Sequence, residues 1–232
     1  MTANRAVIVG ASHAGAQLAG NLRKEKWDGD ILLIDDEGRL PYQRPPLSKA
    51  YLAGTSELDD FAIRGRQFYE QQSIELDAET VIAIDRDARS VTMGSGNVVT
   101  YSRLAICTGA RARQLPVPGA ELAGVHSLRT ASDVEAIRAA AVQGRRVVIV
   151  GGGYIGLETA ASLRALGVEV TVLEAAARVL ERVTAPVVSA FFDRIRLIVW
   201  SIGPAGARSG TCGSPIIESH WAMASSAFFR SW

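Results

Sequence analysis

The chain has 232 residues, 48% of them hydrophobic and 21% charged, with a formal net charge of +1. That length allows one to two domains, and the composition is that of a soluble globular protein able to bury a core. The near-zero charge removes the electrostatic case for nucleic acid or an anionic membrane, and no run approaches the roughly 18 apolar residues of a membrane-spanning helix.

The N-terminus runs directly into a strand, without the apolar stretch of a secretory signal. Cys107 and Cys212 are too few and too distant in sequence for a disulfide framework, a CxxC redox pair or a zinc site. A reducing, cytoplasmic setting is the expectation. His13, His126 and His220 are scattered, and no metal site is expected.

Residues 6–9 read as a short apolar strand, followed by a glycine turn at Gly10, Ser12 and Gly15 and a helix over 14–24 with Leu18 and Leu22 on one face. Residues 31–36 supply a second strand with acids at its end. Strand, glycine turn, helix and strand make a dinucleotide-binding unit. In such a turn the first glycine permits the bend, the second lets a pyrophosphate approach the backbone, and the third lets helix and strand pack closely. Ser12 holds the middle position, adding a Cβ and a hydroxyl beside the expected pyrophosphate. Asp36 is the favoured ribose ligand, with Asp35 and Glu37 as close competitors.

In residues 40–54, Pro41, Pro45 and Pro46 fix φ and stiffen the loop before the helix-like stretch 48–53. Residues 61–72 read as a helix. Residues 80–109 then alternate apolar and polar through turns at 85–89 and 94–97, which predicts a three-stranded antiparallel excursion returning to the first sheet at 104–107. Thr108 and Gly109 end that strand where backbone amides can meet a cofactor, and Cys107 reads as a small buried apolar residue. The proline- and glycine-rich stretch 111–124 marks the domain boundary, dividing 1–115 from 116–196. Residues 132–144 open with Ser132 and Glu135 in capping-box spacing and continue as an alanine-rich helix.

A second glycine turn is complete. Residues 147–150 read as a buried strand, Gly151, Gly153 and Gly156 fit GxGxxG, a helix follows, and the next strand ends at Glu174. Glu174 lies near the spacing of about 20 residues at which an acid accepts a hydrogen bond from the ribose 2′-hydroxyl. A carboxylate there repels a 2′-phosphate, which favours NADH over NADPH. The fold class is therefore α/β, two Rossmann-type dinucleotide-binding units with an antiparallel β excursion. Two such units suggest FAD held at the first, NAD(H) exchanging at the second, and hydride transfer between them, unless one unit is a decayed repeat.

The segments VIVGASHAG, LPYQRPPLSKAYLAG, CTGARARQLPVPG, LRT and VVIVGGGYIGLE, in that order, resemble the FAD-dependent ferredoxin and rubredoxin reductases of oxygenase electron-transfer systems. The likeness is to the putidaredoxin reductase-like branch of the pyridine nucleotide-disulfide oxidoreductase superfamily, and it runs over residues 5–195. It implies FAD held by Gly10, Gly15, Asp36, Lys49, Val81 and Arg129, with Ser12, Thr108 and Gly109 alongside. It places NADH on Gly151, Gly153, Gly156 and Glu174. It also implies that Lys49 and Glu158 form a catalytic ion pair at the flavin N5 edge, where a buried lysine needs a partner. Taken alone, Lys49 reads as a solvated side chain at a helix start, and Glu158 as an acid favoured by the helix dipole. The implied reaction moves hydride from nicotinamide C4 to flavin N5 and passes single electrons to a ferredoxin- or rubredoxin-type protein. No CxxxxC pair stands near the first unit, which disfavours the disulfide-reductase relatives. The alternatives are a non-catalytic FAD/NAD-binding fragment and a related flavin reductase with another acceptor, such as monodehydroascorbate.

Departures from the family pattern are Ser12, Cys107 where alanine is usual, and everything after Ile195. Residues 197–232 carry three tryptophans among clustered Gly, Pro and Ser and read as a foreign end, such as a frameshift or truncation produces. The alternative is that 197–200 is a genuine short buried strand. A full reductase of this type is roughly twice as long, so exposed apolar surface, an unpaired strand edge, weak flavin retention and aggregation are expected.

Overall fold

The structure, a computed structural model, describes residues 4–194 and 198–201. In chain order the elements are β1 (Arg5–Val9), α1 (His13–Lys24), β2 (Asp30–Ile34), a 3-10 turn (Pro45–Ser48), α2 (Ala50–Ala53), a second 3-10 turn (Leu58–Phe61) and α3 (Arg66–Gln71). There follow β3 (Ile74–Asp77), β4 (Val81–Asp85), β5 (Ser90–Met93), β6 (Val98–Thr100), β7 (Arg103–Ile106) and α4 (Ala131–Ala140). The last are β8 (Arg146–Val150), α5 (Tyr154–Ala165), β9 (Glu169–Glu174), α6 (Pro186–Arg194) and β10 (Ile198–Ser201). The chain divides into two compact units, one of residues 4–47 and 56–111, the other of 48–55 and 112 onward.

The first unit is three-layered. Its parallel sheet has the order β3-β2-β1-β7. Because successive strand residues face opposite ways, Ala6 and Ile8 join Ile31, Leu33 and Ile74 under Ala19 of α1 and Tyr69 of α3. Val7, Leu32 and Ile34 point the other way, against Val91, Met93 and Tyr101. Burial on both faces accounts for the unbroken apolar runs of β1 and β2. The second face is covered by the antiparallel meander β4-β5-β6, which returns to the first sheet through β7 as the sequence predicts; β7 pairs parallel with β1. Arg23 staples the far end: its guanidinium donates to the carbonyls of Gln72 (2.6 Å), Trp27 (2.8 Å), Gly29 (2.8 Å) and Ser73 (2.8 Å).

The second unit has the parallel order β10-β9-β8. Leu157, Ala160 and Leu163 of α5 are buried, as are Val170 and Val172 of β9. Residues 198–201 pair in parallel with β9, close to the strand read at 197–200. The rest of the tail, 202–232, lies outside the described residues.

Three local expectations change, and one strand was not foreseen. The strand expected to be buried at 147–150 is half open, with Val148 and Val150 each 53% exposed, because they alternate with Ile149 and lie on the face of the sheet away from α5. The helix read over 61–72 is only Arg66–Gln71; Leu58–Phe61 is a separate 3-10 turn with its own capping box from Glu57 and Asp60. The capping box of α4 uses Thr130 and Asp133, not Ser132 and Glu135: Thr130 Oγ1 accepts from the Asp133 amide (3.2 Å) and Asp133 Oδ2 from the Thr130 amide (2.8 Å). Two overlapping boxes compete in TASDVE, and the earlier one wins because it starts the helix at Ala131 and leaves Glu135 to accept from Tyr51 Oη at 2.8 Å. Finally β3, four residues of which two are acids, escapes the sequence reading although it completes the first sheet.

Candidate functional site

Both glycine turns are built by one device. The Gly10 amide donates to the Ile34 carbonyl at 2.7 Å and the Gly151 amide to Leu173 at 2.7 Å, extending each strand pair into its turn. The following amide finds a carboxylate at the end of the neighbouring strand: Ala11 N to Asp35 Oδ2 at 2.8 Å, Gly152 N to Glu174 Oε2 at 2.7 Å. The other oxygen of each acid accepts from its own turn, from Glu37 N at 3.1 Å and Ala176 N at 2.8 Å. Helix and turn then close tightly. A Cβ on Gly15 would lie 1.9 Å from the Gly10 carbonyl oxygen, and one on Gly156 would lie 2.0 Å from that of Gly151.

These turns deliver two uncapped helix N-termini. Ser12 caps α1 and Gly153 caps α5 by position, yet neither makes a side-chain cap bond and neither helix has an acid in its first turn. Among the described residues the first-turn amides therefore lack an internal or side-chain acceptor, and they sit at the positive end of the dipole, which suits a phosphate. Around Gly151 (φ +111°) and Gly153 an added Cβ would meet no atom of the described residues within 4 Å, leaving room for a pyrophosphate against the backbone. Gly10 differs. Its Cβ would fall 2.3 Å from the Cys107 carbonyl oxygen, because the end of β7 passes beside it.

Of the three acids after β2, Asp35 is turned in on the Ala11 amide, and Glu37 is held by Arg44 (2.7 Å) and the Tyr42 hydroxyl (2.5 Å). Asp36 is exposed and uncommitted among the described residues. Burial alone would lower the Arg44 pKa, but Glu37 and neighbouring charges outweigh it and hold the guanidinium above its ordinary value. Glu174 gives both oxygens to backbone amides, each keeping a second lone pair for a ribose hydroxyl.

The remaining read residues are dispersed. Thr108 and Gly109 (φ +68°) are exposed past β7. Val81 is half-buried and shares an apolar groove of ≈ 270 Å³ with Val9, Ile106 and Thr108. Cys107 is only partly buried against the apolar cluster, and desolvation pushes its thiol pKa up. The Arg129 amide belongs to the cap of α4, donating to Asp133 Oδ2 at 2.9 Å.

Lys49 and Glu158 do meet. Lys49, N-cap of α2, places Nζ 2.6 Å from Glu158 Oε2 on α5. The side chains are 51% and 31% exposed, so the pair stands at a surface rather than in a core. Ser48, which the sequence reading missed, donates Oγ to the same Oε2 at 2.6 Å. Burial alone would raise the Glu158 pKa; the hydrogen bonds from Lys49 and Ser48 and the lysine charge outweigh that and hold it below the ordinary value. Ser162, one turn on from Glu158, donates to the Ser48 carbonyl at 2.8 Å. Its four-residue spacing from Glu158 was the available signal.

The family model for pyridine nucleotide-disulphide oxidoreductases matches residues 4–196. The chain belongs to that family. Among curated members of the family, it is 46% identical over 196 residues to the probable ferredoxin reductase CtmF of Castellaniella defragrans, covering 84% of this chain and 48% of the relative. It is 44% identical over 200 residues to the putidaredoxin reductase CamA of Pseudomonas putida, covering 84% and 47%. Among solved structures, the ferredoxin reductase for the CYP199A2 system of Rhodopseudomonas palustris superposes with TM-score 0.81 at 43% identity, over 86% of this chain and 50% of that one. The chain thus spans about half the length of the curated relatives it matches. Among the described residues no helix is long and apolar enough to cross a membrane.

Proposed function

We propose that this chain carries the FAD-binding and NADH-binding units of a cytoplasmic NADH-dependent reductase whose acceptor is a small ferredoxin- or rubredoxin-type protein. Residues 1–115 are the FAD-binding part, 116–196 the NADH-binding part, and 197–232 an atypical tail. The observation that carries this reading is the duplicated turn, with its two uncapped helix N-termini and strand-end carboxylates. The relatives named as ferredoxin and putidaredoxin reductases support the choice of acceptor.

Gly10, Ser12, Gly15, Asp36, Val81, Thr108, Gly109 and Arg129 would hold FAD, joined by Lys49. Gly151, Gly153, Gly156 and Glu174 would hold NADH. Bound FAD supplies a site that takes up hydride and releases electrons singly, which lets a two-electron donor feed a one-electron acceptor. The chain's own contribution is to seat the phosphates on backbone amides, exclude a 2′-phosphate through Glu174, and keep Lys49 beside an ionised Glu158.

Purified protein tests this. Yellow colour with a flavin spectrum, and NADH-driven reduction of ferricyanide or cytochrome c, are expected. Colourless protein that still binds ADP-ribose would overturn the reductase reading and leave a nucleotide-binding unit without turnover.

A further inference from the structure

Lys49 and Glu158 are joined across a surface, where an ion pair by itself contributes little and fixes its long side chains poorly. Something else must define the carboxylate. Ser48 is 4% exposed, and its hydroxyl reaches Glu158 Oε2 at 2.6 Å, the oxygen that Lys49 also takes at 2.6 Å. Its backbone carbonyl is held from the same helix by Ser162 Oγ at 2.8 Å. Glu158 and Ser162 are one helical turn apart and share a face, so α5 grips Ser48 at two points, side chain and main chain. A buried hydroxyl on a short side chain loses little rotamer freedom and makes a charge-assisted bond. Lys49 has four rotatable bonds to order for the same oxygen.

We propose that Ser48 is the positioning residue of the Lys49–Glu158 pair: its hydroxyl fixes the carboxylate on one oxygen, and Ser162 fixes Ser48. This rests on the proposed function only in the use the pair is put to. The contacts stand without any nucleotide.

The charged surroundings are simple. The segment carrying α2 brings Lys49 to Glu158, and Lys49 is the charge that acts on it. From β9, Glu174 is committed to the amides of Gly152 and Ala176, and the one charge of β8 is Arg146 at its exposed start. With the Ser48 donor removed, burial is opposed by Lys49 alone and the carboxyl must protonate at higher pH.

The test uses the chain itself, which has three lysines, Lys24, Lys26 and Lys49. With lysine labelled at Cε, the Lys49 resonance is assigned by its loss in Lys49→Arg and followed through an acid titration. Its response to Glu158 protonation is expected to move to higher pH in Ser48→Ala and to return in Ser48→Thr, which restores the hydroxyl. A transition that stays in place in Ser48→Ala while the melting point falls assigns Ser48 a purely structural role and overturns the proposal. If Ser48→Ala does not fold, Ser162→Ala decides: a shift in the same direction supports the grip, and an unchanged titration overturns it. None of these readouts depends on flavin, so failure of the reductase reading is seen separately, as protein isolated without colour.

Discussion

Alanine at Gly153 and at Gly156 should separate binding from folding within a single motif. At Gly156 the new Cβ would sit 2.0 Å from the Gly151 carbonyl oxygen, where a carbon–oxygen contact needs about 3.3 Å. The overlap is with backbone, so either the start of α5 or the turn must move. Overpacking of this kind costs about 1–3 kcal/mol. The turn is also pinned by Gly151 N to Leu173 O at 2.7 Å and Gly152 N to Glu174 at 2.7 Å, and loosening one adds about 1 kcal/mol. The expected loss is about 3 kcal/mol, or roughly 6–12 °C in Tm for a chain of this size. Gly153 has φ −82° and open space around its Cβ position. Alanine there is a poorer N-cap but restricts the unfolded chain, and these effects nearly offset, leaving stability within about 0.5 kcal/mol. Its methyl would instead stand where a pyrophosphate approaches. Circular dichroism melts and calorimetric titration with ADP-ribose should therefore show G156A melting early, and G153A melting normally while binding at least about tenfold more weakly, a loss of about 1.4 kcal/mol. Full ADP-ribose affinity in G153A, or a wild-type melt for G156A, would refute the assignment of the turn.

Replacing Tyr69 with phenylalanine removes a buried hydroxyl that has no hydrogen-bond partner among the described residues and whose pKa burial pushes up to about 12; a gain of up to about 1 kcal/mol in urea unfolding is expected, and a clear loss would overturn this reading of the hydroxyl. Arg23→Lys keeps the charge but cannot span four carbonyls, so a destabilisation of about 2–4 kcal/mol is expected, and one under about 0.5 kcal/mol would show that the staple is dispensable. The depressed Glu158 carboxyl contributes stability that is present above its unfolded pKa and lost as pH falls through the folded value. The urea-midpoint difference between wild type and Glu158→Gln should accordingly be level at neutral pH and shrink on acidification; a difference that grows with acid would reverse the sign of the argument.

Much of the site was legible because a glycine turn is a local device. The strand, the three glycine positions and the acid at the next strand's end lie within one stretch, and both turns fold as that pattern dictates. The antiparallel excursion was equally readable from alternation and turn residues. What escaped was settled by competition or by distance. Asp35, Asp36 and Glu37 are chemically alike, and only the register of β2 decides that Asp35 meets the Ala11 amide. Ser132 and Thr130 both begin plausible capping boxes, and choosing between them requires knowing where the chain enters the helix. Ser48 gave no sequence signal because its partners, Glu158 and Ser162, lie more than a hundred residues away.

The two turns also show that a nucleotide motif and the burial around it are separate achievements. β1 is covered on one face by α1 and α3 and on the other by the meander, and β7 runs along its edge, so that Gly10 has no room for any side chain. β8 has α5 on one face and leaves Val148 and Val150 open on the other, and a Cβ on the matching Gly151 would touch nothing among the described residues. Yet the hydrogen bonds of the two turns agree to within 0.1 Å at the strand-end carboxylates, 2.8 Å and 2.7 Å. The turn is therefore held by its own strand pair, helix and acid, not by the layers beyond them. The first glycine of each motif answers to different demands: among the described residues Gly151 meets a demand of backbone conformation, whereas Gly10 also makes way for the end of a neighbouring strand.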